Sequence, residues 1–425
     1  MNAYWRAKWK ATRMGRKGYR TIRSRLRSIT PSWLRHPLSN LIADRENAEK
    51  PLTDCSFPPP QKYDVVCFPI IDWDLRFQRP QHLLTQFALN GHRAFYLHTT
   101  FHQAGRDPLI RMIGPNLYRV RLPGPPEPDA LYRKALNPSL DEAWLGALDA
   151  LSRGAGIEAA VSLVEFPNWS GLADSCRRSR GWKIVYDCLD EHTGFSNISP
   201  GILAREVELI EGSDIVVATS RLLYEKVRSK ARRALLLPNA ADYDHFKDPG
   251  AARPLRGISR PIIGYFGAIA EWFDVELVAT AARRRKDWQF VLIGSTHGAD
   301  LSSVSRLRNV NLLGELPYAE LPGYLHQFDA AIIPFRLTPL TAATNPVKFY
   351  EYLSAGKPVV SVRLPELEPF EDLYYPAGTG AEFVLQIEAA LSERSPEKAE
   401  ARREIARANT WRHRYEQLSD AIRSI

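Results

Sequence analysis

Short apolar, β-branched runs alternate with helical stretches along most of this chain. That alternation restricts the fold to α/β, with mainly parallel strands covered on both faces. YDVVCFP, AFYLH, LYRVRLP, AAVSLV, KIVYD, DIVVAT and ALLLPN form a first series from Tyr63 onward. Helices are expected over QRPQHLLTQFALNGH, near 140–152, 169–180 and 200–212, and over RLLYEKVRSK, while the Pro-rich stretches around 107–128 read as loops. Residues 241–260, with Pro249, Gly250, Pro254 and Gly257, read as a linker. PIIGYFG, WQFVLIG, NVNLLG, DAAIIPF and PVVSV then form a second series, with helices at 274–285, 318–327 and 380–393. A helical tail over 396–424 is broken near Asn409. Two Rossmann-like domains are therefore expected, at 63–240 and 261–395, and 425 residues suffice for two cores.

The most informative stretch is Thr338 to Val362, TPLTAATNPVKFYEYLSAGKPVVSV. It reads as loop, helix, turn and buried strand, with Asn345 as N-cap, Pro346 in the first turn and Gly356 closing the helix. Lys348 then falls at the third helical position, where the helix dipole disfavours a cation. A bound anion resolves that conflict, because free N–H groups at a helix start hold phosphates. Glu351, one turn on, offers a carboxylate to sugar hydroxyls. The alternative is a surface Lys348–Glu351 ion pair of little consequence.

This pattern resembles the donor-binding segment of GT-B glycosyltransferases, close to the glycosyl transferases group 1 class and nearest to enzymes of teichuronic-acid-type and other surface-polysaccharide assembly. The resemblance implies two facing Rossmann-like domains, with the last helix crossing back onto the first domain through Trp411 and Leu418. It implies that Lys348 holds the diphosphate of a nucleotide-sugar and Glu351 its ribose, with no metal or other cofactor. Many members carry two glutamates spaced E-x7-E ahead of G-x-P-V-V, and here the first position is Ala343. Its contact is absent or supplied elsewhere, which leaves the retaining or inverting course open.

Other candidates follow the strands, where open α/β sheets bind ligands. After the first strand, IDWDLRFQRPQ places Trp73, Arg76 and Arg79 as an acceptor or anion site facing the cleft, and its spelling resembles the same family. The alternative pairs Arg79 with Asp72 or Asp74 and puts Trp73 in the core. After KIVYD, the cluster Asp187, Asp190, Glu191 and His192 offers a general base, with Asp190 first and His192 second. Helix capping by these acids is the alternative. Gly264 and Gly267 let a diphosphate approach the backbone, although G-x-x-G spacing alone is weak. Ser295 follows the next strand as a pocket residue, and the resemblance sets Leu316, Pro317 and Tyr318 near the nucleobase. Surface exposure is the bland reading of Tyr318.

Charge separates the chain into an arm and a body. Residues 1–43 hold eleven Lys or Arg and no acid, leaving 46 cations against 48 acids beyond them. Within residues 1–36, Ile22, Leu26, Ile29 and Trp33 form one apolar helical stripe, with Arg20, Arg23, Arg25 and Arg27 largely outside it. This predicts an amphipathic arm on an anionic membrane surface, followed by a Pro-rich linker at 37–62. No nucleic-acid recognition fold accompanies the basic residues. Without a signal-like or membrane-spanning run, the expected location is cytoplasmic, at the inner face of the membrane. Four cysteines without C-x-x-C spacing and histidines without H-E-x-x-H spacing suggest no metal site. The activity expected is transfer of a sugar from a nucleotide-diphosphate sugar to a glycan or lipid-linked acceptor. A non-catalytic sugar-nucleotide or glycan-binding protein and a nucleotide-sugar epimerase are the rivals.

Overall fold

The computed structural model describes residues 49–125, 130–132, 138–195, 198–250, 254–296 and 298–425. The expected arm over 1–36 lies outside them, and the part of the chain from Pro51 onward is described below.

The first series of apolar runs becomes β1 Asp64–Phe68, β2 Ala94–Leu97, β4 Leu117–Arg121, β5 Ala160–Val164, β6 Lys183–Cys188, β7 Ile215–Ala218 and β8 Ala234–Leu236. One strand was not expected: β3, Leu109–Gly114, lies in the stretch read as loop. It pairs antiparallel with β4 through a turn at Asn116, whose φ of 57° suits Asn. In space the strands run β3-β4-β2-β1-β5-β6-β7-β8, and the other neighbours are parallel. Every residue of β1 and β5 is buried, as continuous apolar runs covered on both faces require.

The second series gives β9 Ile262–Phe266, β10 Gln289–Ile293, β11 Val310–Gly314, β12 Ala330–Ile333 and β13 Val359–Val362. A further strand, β14 Tyr375–Ala377, was missed because Pro376 interrupts its pattern; Pro is tolerated where no ladder N–H is needed. The order is β11-β10-β9-β12-β13-β14, all parallel. The helix expected over 318–327 is shorter, a 3-10 turn at Tyr318–Glu320 followed by Leu321–Leu325.

In each sheet the strand order reverses beside the first strand, β1 against β5 and β9 against β12. Crevices therefore open at the carboxyl ends of β1 and β9. The two helices that matter for the crevice flank it: α1, Arg79–Leu89, and α2, Val347–Ser354. The last helix, α3 Trp411–Arg423, returns to the first sheet. Its Trp411, Tyr415, Leu418 and Ile422 share an apolar core with Val65, Leu83 and Phe87. Trp411 stacks on His82 of α1 with centroids 4.8 Å apart.

Candidate functional site

Helix α2 starts one residue later than its sequence suggests. Pro346 stands at the N-cap, which makes Lys348 the second helical residue, still within the turn that repels a cation. Asn345 does not cap the helix. Buried, it accepts the Asn239 N–H at 3.0 Å and donates through Nδ2 to Glu366 at 3.2 Å and to Tyr350 at 3.3 Å. Asn345 is thus a tether ahead of the helix, which corrects its reading as the N-cap, and it is absent from the lining of the cavity described below.

Lys348 lies directly across Gly267, the residue that follows β9. A Cβ at Gly267 would come within 1.8 Å of Lys348 Cε, and φ there is 137°. Gly294, after β10, packs as tightly, since a Cβ on it would reach the Gly267 carbonyl oxygen at 1.8 Å. Only glycine permits this stacking of two strand ends beneath a lysine side chain. Lys348 Nζ sits 5.9 Å from the Tyr265 ring centroid and has no hydrogen-bond or ion-pair partner among the described residues. Glu351 is buried, yet it does not pair with Lys348 within ion-pair distance, so the surface-pair alternative fails. Burial lowers the Lys348 pKa against the attraction of Glu351. Burial pushes Glu351 up to about 7; Lys348 opposes the rise and Asp242 adds to it.

These groups line a cavity of about 270 Å³ between the two sheets. Its walls include Trp73, Arg76, Gly267, Tyr318, Lys348 and Glu351, so six of the expected site residues converge. Trp73 is half-buried, edge-on to Tyr96 at 5.1 Å, with its remaining surface on the cavity. Tyr318 is not a simple surface residue: it stacks on His245 at 4.4 Å and its hydroxyl donates to Asp242 at 3.2 Å. Ser295 is absent from the lining and contributes its backbone N–H to Glu315 at 2.8 Å. Phe266, Gly294 and Glu315 line the cavity without having been singled out. Gly294 was legible as a glycine ending an apolar run; Glu315 carried no signal.

Arg79 requires a second correction. It is buried and forks onto Asp187 at 2.8 and 2.9 Å, while Nη1 donates to the Leu237 carbonyl at 3.0 Å. It does not line the cavity, and its partner is neither Asp72 nor Asp74. Asp72 instead meets His98 at 2.7 Å, and Asp74 pairs with Arg119.

Asp190 and His192 do not line the cavity. They lie on the loop after β6, which meets the second sheet's loops: a Cβ on Gly194 would come within 2.6 Å of Leu340, and Phe195 lies edge-on to Trp272 at 6.3 Å. Burial raises the Asp190 carboxyl, His192 lowers it and Asp187 raises it further. His192 is buried with both ring nitrogens unpartnered among the described residues. Glu191 is occupied, accepting from Thr193 Oγ1 at 2.7 Å and pairing with Lys226 at 2.9 Å. Ala343 sits in the apolar core of the first sheet, where an unpaired charged side chain would be costly to bury.

The chain is similar to known proteins in sequence and in fold. Residues 260–393 match the family described as Glycosyl transferases group 1. Over 315 residues the chain is 28% identical to a Bacillus subtilis (strain 168) protein named for teichuronic acid biosynthesis as the glycosyltransferase TuaH, covering 68% of this chain and 77% of that one. Among solved structures, a sucrose-phosphate synthase from Thermosynechococcus elongatus superposes with a TM-score of 0.69 at 15% identity, over 85% of this chain and 99% of that one. An alpha,alpha-trehalose-phosphate synthase (UDP-forming) from Burkholderia vietnamiensis gives 0.64 at 12% identity, over 86% and 99%. At such identities the likeness is one of fold.

Proposed function

We propose that this chain, a GT-B glycosyltransferase of the group 1 class, moves a sugar from a nucleotide-diphosphate sugar to a glycan or lipid-linked acceptor in cell-surface polysaccharide assembly. The observation that carries the donor assignment is Lys348, laid over Gly267 at the mouth of a switch-point crevice with no ion-pair or hydrogen-bond partner among the described residues. A cation held there without an anionic partner among the described residues suits the diphosphate, which also meets the first-turn N–H groups of α2. Glu351 sits one turn deeper and suits the ribose hydroxyls. As the glycosidic bond to the donor breaks, charge builds on the leaving diphosphate, and Lys348 with the helix dipole stabilises it in place of a metal ion. The acceptor enters from the side of the first sheet, past Trp73. If the reaction inverts, Asp190, whose carboxyl pKa burial raises, takes the proton of the attacking hydroxyl.

The test is turnover of a nucleotide-sugar panel with glycan and lipid-linked acceptors, followed by anomeric analysis of the product. One donor should be consumed only when acceptor is present. With an inverted product, Asp190→Asn should keep donor binding and lose roughly a hundredfold in rate. Conversion of a nucleotide-sugar without acceptor would make the chain an epimerase, and binding without turnover a binding protein.

The arm over residues 1–36 is the proposed attachment to an anionic leaflet at the inner face of the membrane, which places the cleft near a lipid-linked acceptor. The support is its composition: eleven cations and no acid across residues 1–43, with an apolar stripe. Among the described residues no helix is long and apolar enough to cross a membrane. Sedimentation with anionic but not neutral vesicles, weakened by salt and lost on deleting residues 1–36, is the expected result. Equal sedimentation of the truncated protein would rule the arm out as anchor.

A further inference from the structure

A diphosphate brings more negative charge into the cavity than Lys348 alone offsets, and the second cation on its wall comes from the other sheet. Arg76 lies on the loop between β1 and α1. Its guanidinium meets Glu315, just past β11, in a fork: Nε donates to Oε1 and Nη2 to Oε2, each at 3.0 Å. Glu315 Oε2 also accepts the Ser295 N–H at 2.8 Å, which fixes the carboxylate from its own side. The fork uses one edge of the guanidinium, and Nη1 has no partner among the described residues. Among the described residues no other ion pair joins the β1–β8 sheet unit to the β9–β14 unit.

The pair is a poor device for stability. Both side chains are partly exposed, at 22% and 42%, and exposed pairs contribute little. Its geometry has another use. A guanidinium held on one edge presents its other N–H groups in a fixed plane, so less freedom is lost when an anion binds.

We propose that Glu315 is a positioning residue for the donor: anchored by Ser295, it holds Arg76 across the cleft with Nη1 presented to the diphosphate. The donor site is then complete only when both sheet units meet, so binding and closure are coupled. This rests on the donor-site reading above and adds to it a residue that acts through Arg76.

The experiment measures calorimetric binding of inorganic pyrophosphate and a nucleoside diphosphate panel to the full chain and four variants: Lys348→Ala, Arg76→Ala, Glu315→Gln and the Arg76→Ala/Glu315→Gln double variant. Melting temperatures confirm that each is folded. Glu315→Gln should weaken binding about threefold to tenfold in the wild-type background and have no further effect once Arg76 is alanine. An equal loss in both backgrounds would overturn the proposal, because Glu315 would then act through the Ser295 loop. Unchanged or tighter binding in Glu315→Gln would also overturn it, making the carboxylate a bystander or a competitor for Arg76. If Lys348→Ala binds every probe as well as wild type, the donor-site reading falls and this proposal with it.

Discussion

Glu351 is a carboxyl group whose burial works against the folded state. Raised to about 7 from an ordinary 4.5, it keeps a proton in the folded chain that the unfolded chain has released. Between those values the folded state binds more protons, so its contribution to stability falls as pH rises. Glu351→Gln removes that dependence. Above pH 7 the variant should be more stable than wild type by about 3 kcal/mol, with the gap closing towards pH 4.5, while nucleotide-sugar affinity drops. Urea midpoints at pH 5 and pH 8 check this, and a variant no more stable at pH 8 would contradict it. A residue kept against stability is consistent with one kept for a ligand. Lys348 and Glu351 were legible in the sequence because a cation at a helix start conflicts with its local surroundings. Glu315 was not, because an acid after an exposed strand conflicts with nothing. Its role depends on Arg76, which is 239 residues away in the chain.

The same limit appears at the scale of elements. Asn345 before Pro346 is a good local capping signal, and it misled because the groups it serves are distant: Asn239, 106 residues back, and Glu366, 21 residues on. Those bonds join a longer buried chain. Asp187 at the end of β6 holds Arg79 at the start of α1, whose Nη1 reaches Asn239 at 3.3 Å; Asn239 binds Asn345 ahead of α2. Glu366 then accepts the Arg221 N–H at 2.8 Å. Helix α2 is therefore set against the first sheet by buried polar contacts, which are strong only while all partners are present. Arg79→Ala leaves Asp187 buried without its cation and should cost about 3–5 kcal/mol of stability. Denaturant unfolding measures it; a loss under about 1 kcal/mol, with an acceptor defect instead, would restore the cleft-facing reading. Periodicity located most strands because buried runs are continuous. It missed β3, where Arg111 breaks the apolar run, and β14, where Pro376 does.

At the scale of the whole molecule, the alternation of strands and helices made two parallel-sheet units legible, while the GT-B architecture and the returning helix were legible only through the family resemblance of the Lys348 stretch and of the tail beginning NTWRHRY. The relative placement of the sheets was not, because it depends on side-chain contacts such as Trp411 on His82 and Arg76 on Glu315 that no local pattern encodes. The consequence is one cavity with glycine backbone, two cations and one buried acid, drawn from four strand ends and one helix start. Its assignment to the diphosphate of a nucleotide-sugar is the central claim. The most direct test is isothermal titration of nucleoside diphosphates into wild type and Lys348→Ala. At least one nucleotide should bind wild type, and the variant should lose roughly 1.5–3 kcal/mol of binding free energy while keeping its melting temperature. Equal affinity of the two proteins for every nucleoside diphosphate would contradict the assignment.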